Sequence, residues 1–85
     1  MRLSLLTLTS LRMDKKEEAL RQFGQRLAAL RQQKGLTIRE LADASGLEFR
    51  QVQEIEQGQI NLLFTTLIAL AKGLGITPGE LLRFG

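Results

Sequence analysis

The side chains most capable of specific chemistry here are charged and amide groups, because the chain has no cysteine and no histidine. That absence removes disulfides, thiol nucleophiles, zinc clusters and imidazole acid–base chemistry, so we expect no metal site, no cofactor and no enzymatic activity. One segment, residues 37–58 (TIRELADASGLEFRQVQEIEQG), carries two basic residues, Arg39 and Arg50, against five acidic ones. Its chemistry would consist of hydrogen bonds and ion pairs, and its net negative charge needs an explanation.

The length and charge of the chain set limits on its architecture and partners. Its 85 residues suffice for one small domain with a modest core, so sharing that core with a second copy is an option from the start. The formal charge of +3 weakly favours an anionic partner. The apolar opening, MRLSLLTLTSLR, is interrupted by serine and threonine, lacks a cleavage site and is too short to span a membrane. We therefore expect a cytoplasmic protein.

The body of the sequence predicts helices. Apolar residues at three- and four-residue steps, from Leu20 to Leu30, predict helix 1 from about Lys15 to Gln33. Thr37 followed by Glu40 is a capping-box signature for helix 2. Gly46 then allows a tight turn, and helix 3 should run from about Glu48 to Gln57.

Two more helices follow a short connector. The predicted apolar stripe of helix 4 consists of Leu63, Leu67, Leu70, Ala71 and Leu74. The run Thr77-Pro78-Gly79-Glu80 supplies a second capping box with proline at the first helical position. Helix 5 should start there, with Leu81 and Leu82 as its apolar anchors. Five helices and no strand pattern in the body predict an all-α domain over residues 14–85.

Residues 1–13 differ in composition, being rich in leucine, serine and threonine. Their leucines loosely fit a strand-like alternation, which would suit an arm that pairs with another element. The alternative is a disordered N-terminal tail, since terminal residues are usually loose unless they are tied down.

The spacing of small and apolar residues around the turn after helix 2 is typical of two helices packed against each other. Ala42 is small where two helices must approach, Gly46 follows four residues later, and Val52 with Ile55 would pack helix 3 back onto helix 2. Together with GQRLAALRQQKGLT before it and LIALAKGLGITPGELL after it, this pattern resembles the phage-repressor and Cro-type helix-turn-helix family, also called the XRE family. The resemblance covers about residues 20–82.

The resemblance implies a five-helix repressor-like DNA-binding domain whose helix-turn-helix is formed by helices 2 and 3. Such domains usually bind double-stranded DNA as homodimers on a palindromic operator, with helix 3 in the major groove. Carried over by position, the residues expected to contact bases are Phe49, Arg50, Gln53 and Glu54. Those expected to contact phosphates are Arg26, Thr37, Arg39, Gln51 and Asn61. Phe49 could instead belong to the core or to a protein interface, and Asn61 could cap a turn.

Three parts of the sequence depart from the family pattern. Ile38 stands where a phosphate-binding glutamine is common, and Glu48 stands where serine or threonine often caps helix 3. The connector Asn61-Leu62-Leu63 replaces the usual Asn-Pro-Ser. These changes leave the expected fold intact but bear on the expected phosphate contacts.

The negative charge of the motif has a partial explanation in the surrounding sequence. Helix 1 and its exit carry a basic set, Lys15, Lys16, Arg21, Arg26, Arg31 and Lys34, so positive charge lies beside the motif rather than within it. Phosphate contacts supply most of the affinity in protein–DNA complexes, whereas the recognition helix supplies sequence choice. Glu56 is expected to turn back toward Arg26 or Arg31 instead of facing the groove.

A cluster of large apolar residues lies just after helix 3, and one short helix cannot bury all of them. An exposed apolar cluster usually marks an interface. We therefore expect a homodimer interface formed by Ile60, Leu62, Leu63, Phe64, Leu82 and Phe84. The alternative is core packing. The rival function is an antitoxin-type or other protein-binding module with weak DNA binding, in which a toxin or polymerase would be the partner.

Overall fold

A computed structural model describes the backbone of residues 2–84 and the side chains of residues 15–84. Within this range the chain forms five α-helices and no strand. They are α1 (Arg2–Gln33), α2 (Ile38–Ser45), α3 (Phe49–Glu56), α4 (Phe64–Leu74) and α5 (Pro78–Leu81). The all-α prediction is confirmed, and α2, α3 and α5 lie where the sequence predicts them.

The helix-turn-helix begins at a capping box, as predicted. The Thr37 hydroxyl accepts a hydrogen bond from the Glu40 amide at 3.0 Å, and the Glu40 carboxylate accepts one from the Thr37 amide at 2.8 Å. At the other end of α2, Gly46 takes the left-handed conformation with φ of 69°, which side chains with a Cβ rarely adopt. Short-range signals therefore determine both ends of α2.

Helix α1 is longer than predicted, because it begins at Arg2 and not near Lys15. The strand-like alternation expected for residues 1–13 is wrong for residues 2–13, whose backbone is helical. Once a helix is nucleated, each added residue forms its hydrogen bond within the same segment, whereas a strand requires a partner. How the side chains of this segment are arranged lies outside the described residues, and its role as an arm stays a prediction.

One core connects all five helices. Helix α2 packs against α3 and α4, while α1 packs against α3 and α5. The buried apolar side chains are Phe23, Leu27, Leu30, Leu41, Ala42, Val52, Ile55, Leu67, Leu70, Ala71, Leu74 and Leu81. The approach of α1 to α3 is close at Gly24, where a Cβ would lie 2.4 Å from the Glu56 carbonyl oxygen. The sequence predicts the inward side of α3 correctly, since Val52 and Ile55 are both buried.

Two leucines expected in the core are exposed. Leu63 was expected to begin the stripe of α4, but it is the residue that precedes the helix, with extended dihedral angles, so helical periodicity does not apply to it. Leu82 was expected to anchor α5, but it follows the last helical residue, Leu81, which alone of the two is buried. The helix ends at Leu81, so the direction of the Leu82 side chain is not set by the helical period that places Leu81 in the core.

Candidate nucleic-acid interface

The outer side of α3 carries the side chains expected to contact bases. Arg50 is the most open of them, with 86% of its side chain exposed, while Gln53 and Glu54 are half-buried. The inner side holds Val52 and Ile55 in the core, so the backbone that bears Arg50 is rigidly placed. Arg50, Gln53 and Glu54 are thus brought together on one helix whose register is determined by its buried side.

An acidic residue lies beside Arg50 on the same side of α3. Glu54 is four residues later, and its carboxylate oxygen Oε2 lies 3.8 Å from Arg50 Nε. Glu48, Arg50, Gln51 and Glu54 line a shallow, open depression at this surface. An exposed ion pair of this kind contributes about 0 to 1 kcal/mol, so an incoming nucleic acid can displace it at little cost.

Phe49, the first residue of α3, is in contact with an arginine side chain of α2. The guanidinium carbon of Arg39, in the first turn of α2, lies 5.0 Å from the centroid of the Phe49 ring. This distance is typical of a cation–π contact. Phe49 is 37% exposed, so the ring is accessible only in part. The pair joins the beginnings of the two motif helices, a relationship that sequence reasoning missed because the residues are ten apart.

The N-terminus of α2 presents a hydroxyl but lacks the glutamine common in the family. Thr37 accepts the Glu40 amide through its hydroxyl oxygen, which leaves the O–H as a donor. Ile38, the next residue, packs against the core instead of pointing outward. The departure at Ile38 therefore contributes apolar burial where the family often has a phosphate contact.

Glu56 is turned away from the outer side of α3, as predicted. Arg31 Nε donates to Glu56 Oε2 at 2.6 Å, and Arg31 Nη2 donates to Glu56 Oε1 at 3.1 Å. The two side chains are only 13% and 8% exposed. Arg31 also donates from Nη1 to the Leu36 carbonyl at 2.8 Å, which ties the loop before α2 to the same centre.

The basic set on α1 is less available than the sequence suggested. Arg31 is neutralised by Glu56, and Arg21 is paired with Glu18. Arg26, expected to contact phosphate, donates from Nη2 to the Glu80 carbonyl at 2.8 Å and is thereby engaged with α5. The guanidinium fork binds nearby carboxylates and carbonyls readily, so part of this positive charge serves the fold.

The other residues expected to contact phosphate differ in how much of each is exposed to solvent. Gln51 is half-buried on α3, and Asn61 is exposed in the connector before α4. Thr37 and Arg39 are exposed together at the start of α2. The structure therefore brings Thr37 and Arg39 together, whereas Arg26 is held elsewhere by α5.

The apolar cluster expected to form a dimer interface is divided by the structure. Ile60 and Leu62 are half-buried and pack against the core, so only part of each is open to a partner, and their place in a dimer interface stays a prediction. Leu63 and Phe64 point outward, with 72% and 73% of their surfaces exposed. Leu63 has extended dihedral angles, so its side chain points to the side opposite that of Leu62, and Phe64 then begins α4.

The C-terminal apolar residues are also partly exposed. Leu82 lies open at the end of α5, and Phe84 packs the edge of its ring against Phe23 with 6.0 Å between centroids. Phe84 thus serves the fold on one side and is accessible on the other. Leu63, Phe64, Leu82 and Phe84 are the exposed apolar members of the expected interface.

Within the described part of the chain, no group of three histidine, cysteine, aspartate or glutamate side chains could hold a metal ion. None of its helices is both long and apolar enough to cross a bilayer.

Comparison with known proteins gives consistent matches. The helix-turn-helix family model matches residues 27–81. The HTH-type transcriptional regulator PuuR of Escherichia coli is 39% identical over 57 residues, which are 67% of this chain but 31% of PuuR. A regulator from Sinorhizobium fredii, y4dJ, is 38% identical over 58 residues, which are 68% of this chain and 75% of that protein. The chain thus spans about a third of PuuR and most of y4dJ.

Among solved structures, the restriction-modification controller protein C.AhdI from Aeromonas hydrophila is similar, with a TM-score of 0.71 and 42% identity. That match covers 75% of this chain and 96% of the controller protein. These matches indicate a helix-turn-helix motif. The exposed outer side of α3 and the capped start of α2 are consistent with that motif. The chain belongs to the XRE-type helix-turn-helix family of DNA-binding transcriptional regulators.

Proposed function

We propose that this protein is a sequence-specific transcriptional regulator that binds a palindromic operator as a homodimer. The observation that carries the proposal is the arrangement of charge on α3. Arg50 is open to solvent, whereas Glu56 is withdrawn into an ion pair with Arg31. The outer side of α3 is therefore less acidic than its sequence, and an arginine is its most accessible group.

The base contacts follow from the hydrogen-bonding groups on that side. Arg50 has the geometry to donate to guanine O6 and N7, and Gln53 can pair with adenine N6 and N7. Glu54 can accept from cytosine N4 where it faces a base. The phosphate contacts would come from Thr37 and Arg39, with Gln51 and Asn61 at the edges of the site. Because its partner is DNA, we also propose a cytoplasmic location.

Dimerisation is supported by the two most exposed large apolar side chains. Leu63 and Phe64 are adjacent, and both are exposed by more than two thirds. A small domain gains solubility and specificity by covering such a pair with a second copy, and two copies would read two half-sites about one helical turn apart. Similarity to a restriction-modification controller protein makes control of such a system one form of this proposal.

The first test is selection from a random duplex library at about 50 and 200 mM salt, with the mass in solution measured alongside. Enrichment of a palindrome by a dimer is the expected result. Sequence-blind, strongly salt-dependent binding would reject specific reading by α3. A dimer without DNA binding would favour the protein-binding alternative, for which a toxin or a polymerase is the partner to seek.

The second test addresses the interface. Replacing Leu63 and Phe64 together by serine should shift the mass from dimer to monomer and weaken operator binding at least tenfold, because one half-site is lost. These side chains are exposed, so the free energy of unfolding of the monomer should change by less than about 1 kcal/mol. Ala29→Ser, at an exposed position on α1, is the control and should leave both readouts unchanged. A variant that remains dimeric would reject this interface.

A further inference from the structure

Phe49 and Arg39 form a stacked pair between the two motif helices, which their positions in the sequence do not predict. Arg39 is the second residue of α2 and Phe49 is the first residue of α3. The Arg39 guanidinium lies over the aromatic ring at 5.0 Å, and both residues are exposed to solvent. A cation over the face of a phenyl ring is attracted by the ring's negative electron density. The ring therefore holds the guanidinium at a defined place between the two motif helices.

The N–H donors of Arg39 are available for hydrogen bonds, whereas Arg31 and Arg50 are paired with carboxylates. Among the side chains of residues 15–84, Arg39 forms no ion pair with a carboxylate, while Arg31 and Arg50 each have a glutamate. Its neighbour Glu40 is engaged with the Thr37 amide in the capping box. Stacking uses the flat side of a guanidinium and leaves the N–H groups at its edge free. Arg39 is thus a positioned cation with unused donors.

A backbone phosphate is the anion that this arrangement fits best. Two N–H groups in a fixed plane match the two oxygens of a phosphate, and prior ordering of the side chain reduces the rotamer freedom that binding would remove. The Thr37 hydroxyl lies two residues before Arg39 and offers a further donor at the same end of α2. Both belong to the end of the motif that approaches DNA in this family.

We propose that Phe49 acts on DNA through Arg39, as a positioning residue for one phosphate contact, and does not read a base itself. The inference rests on the proposed function, because it requires that the motif bind DNA. It changes the role expected for Phe49 from the sequence. It also gives a role to the aromatic ring at the start of α3, of which about a third of the surface is exposed.

A double-mutant cycle on DNA affinity tests this role. The probe is a random-sequence duplex long enough for one dimer, which contains phosphates but no operator. Phe49→Leu removes the aromatic face and keeps an apolar group that could still touch a thymine methyl. It should weaken binding about two- to fivefold per protomer, the range expected for losing an exposed cation–π contact. Arg39→Ala should reduce the slope of log affinity against log salt by about 0.9 per protomer.

The coupling between the two residues is the decisive readout. In the Arg39→Ala background, Phe49→Leu should have no further effect, and Phe49→Tyr should retain wild-type affinity because it keeps the aromatic face. Lys72→Ala is the charge-matched control, and its effect should simply add to that of Phe49→Leu. Thermal unfolding of each variant checks that it is folded, and Phe49→Met replaces Phe49→Leu if the latter is not.

Three results would overturn the inference. An equal loss from Phe49→Leu with and without Arg39 would mean that Phe49 contacts DNA directly. No loss from Phe49→Leu would mean that the stack is irrelevant to binding. Failure of the wild-type protein to bind either this duplex at low salt or the duplexes selected from the random library would reject the proposed function as well, and the wild-type measurements alone distinguish that case from the other two.

Discussion

Helix α3 carries two glutamates that are each paired with an arginine, and the two pairs differ in almost every physical respect. Glu56 receives two hydrogen bonds from Arg31 across the interface with α1, in surroundings that exclude most solvent. Glu54 lies 3.8 Å from Arg50 within the same helix, and that arginine is almost fully exposed. One pair joins two helices, whereas the other lies on the surface that would meet DNA.

The two pairs show how an acidic recognition helix can belong to a DNA-binding protein. A largely buried pair costs desolvation energy to form, but once formed it is costly to break. A solvated pair exchanges partners freely, because water already screens its attraction. The number of acidic residues in the motif therefore overstates the negative charge on its outer side. Glu56 helps to attach α3 to α1, and of the two glutamates only Glu54 lies on the outer side.

The largest expected effect comes from breaking the buried pair. Glu56→Ala should lower the free energy of unfolding by about 3 to 5 kcal/mol, because Arg31 would remain largely buried without its carboxylate. Urea denaturation measures the change. Replacing both partners, as Arg31→Met with Glu56→Leu, should recover most of that loss. A loss below about 1 kcal/mol for Glu56→Ala would mean that this pair is no more structural than the surface pair.

An intermediate effect is expected at Arg50, and it should appear in binding rather than in stability. Arg50→Ala should weaken operator binding by about 1 to 3 kcal/mol and relax the preference at one base pair. Its side chain is exposed, so the free energy of unfolding should change by less than about 0.5 kcal/mol. Affinities for the selected operator and for random duplex, measured in parallel, are the readout. Equal losses on both would make Arg50 a phosphate contact.

The smallest effect is expected at Glu54. Glu54→Gln removes a charge that repels phosphate and frees Arg50, so affinity for random duplex should rise by roughly 0.5 to 1 kcal/mol. Stability should be nearly unchanged, in contrast to Glu56→Ala. Binding titrations at low salt provide the measurement, and the gain should diminish as salt is raised. A weaker affinity for random duplex would indicate that Glu54 orients Arg50 and does not oppose binding.

The sequence predicted the elements whose signals are local. Both capping boxes form as expected, at Thr37 with Glu40 and at Thr77 with Glu80. The inward residues of α3 are also correct, since a helical stripe two turns long needs only period and polarity. The family resemblance supplied the arrangement of these helices, which periodicity alone does not determine.

The sequence is least informative where a residue lies just outside a helix or where its partner is distant in the chain. Leu63 fits the predicted stripe of α4 by spacing, but it precedes that helix and points outward. Ile60 and Leu62 pack partly against the core, and their place in an interface stays a prediction. Arg26 donates to the Glu80 carbonyl, and its phosphate contact stays a prediction. Each case concerns where a side chain points, which depends on the path of the surrounding chain.

Residue types and their local spacing are enough to predict the helices of the motif, the tight turn at Gly46 and the absence of cysteine and histidine chemistry. These properties depend on residue type and on neighbours within one or two helical turns. The packing of the helices determines which charges remain available, because it pairs Arg31 with Glu56 across α1 and α3 and places Arg39 over Phe49. Such pairings join residues ten or more positions apart, so only the packing of the helices brings their atoms within bonding distance.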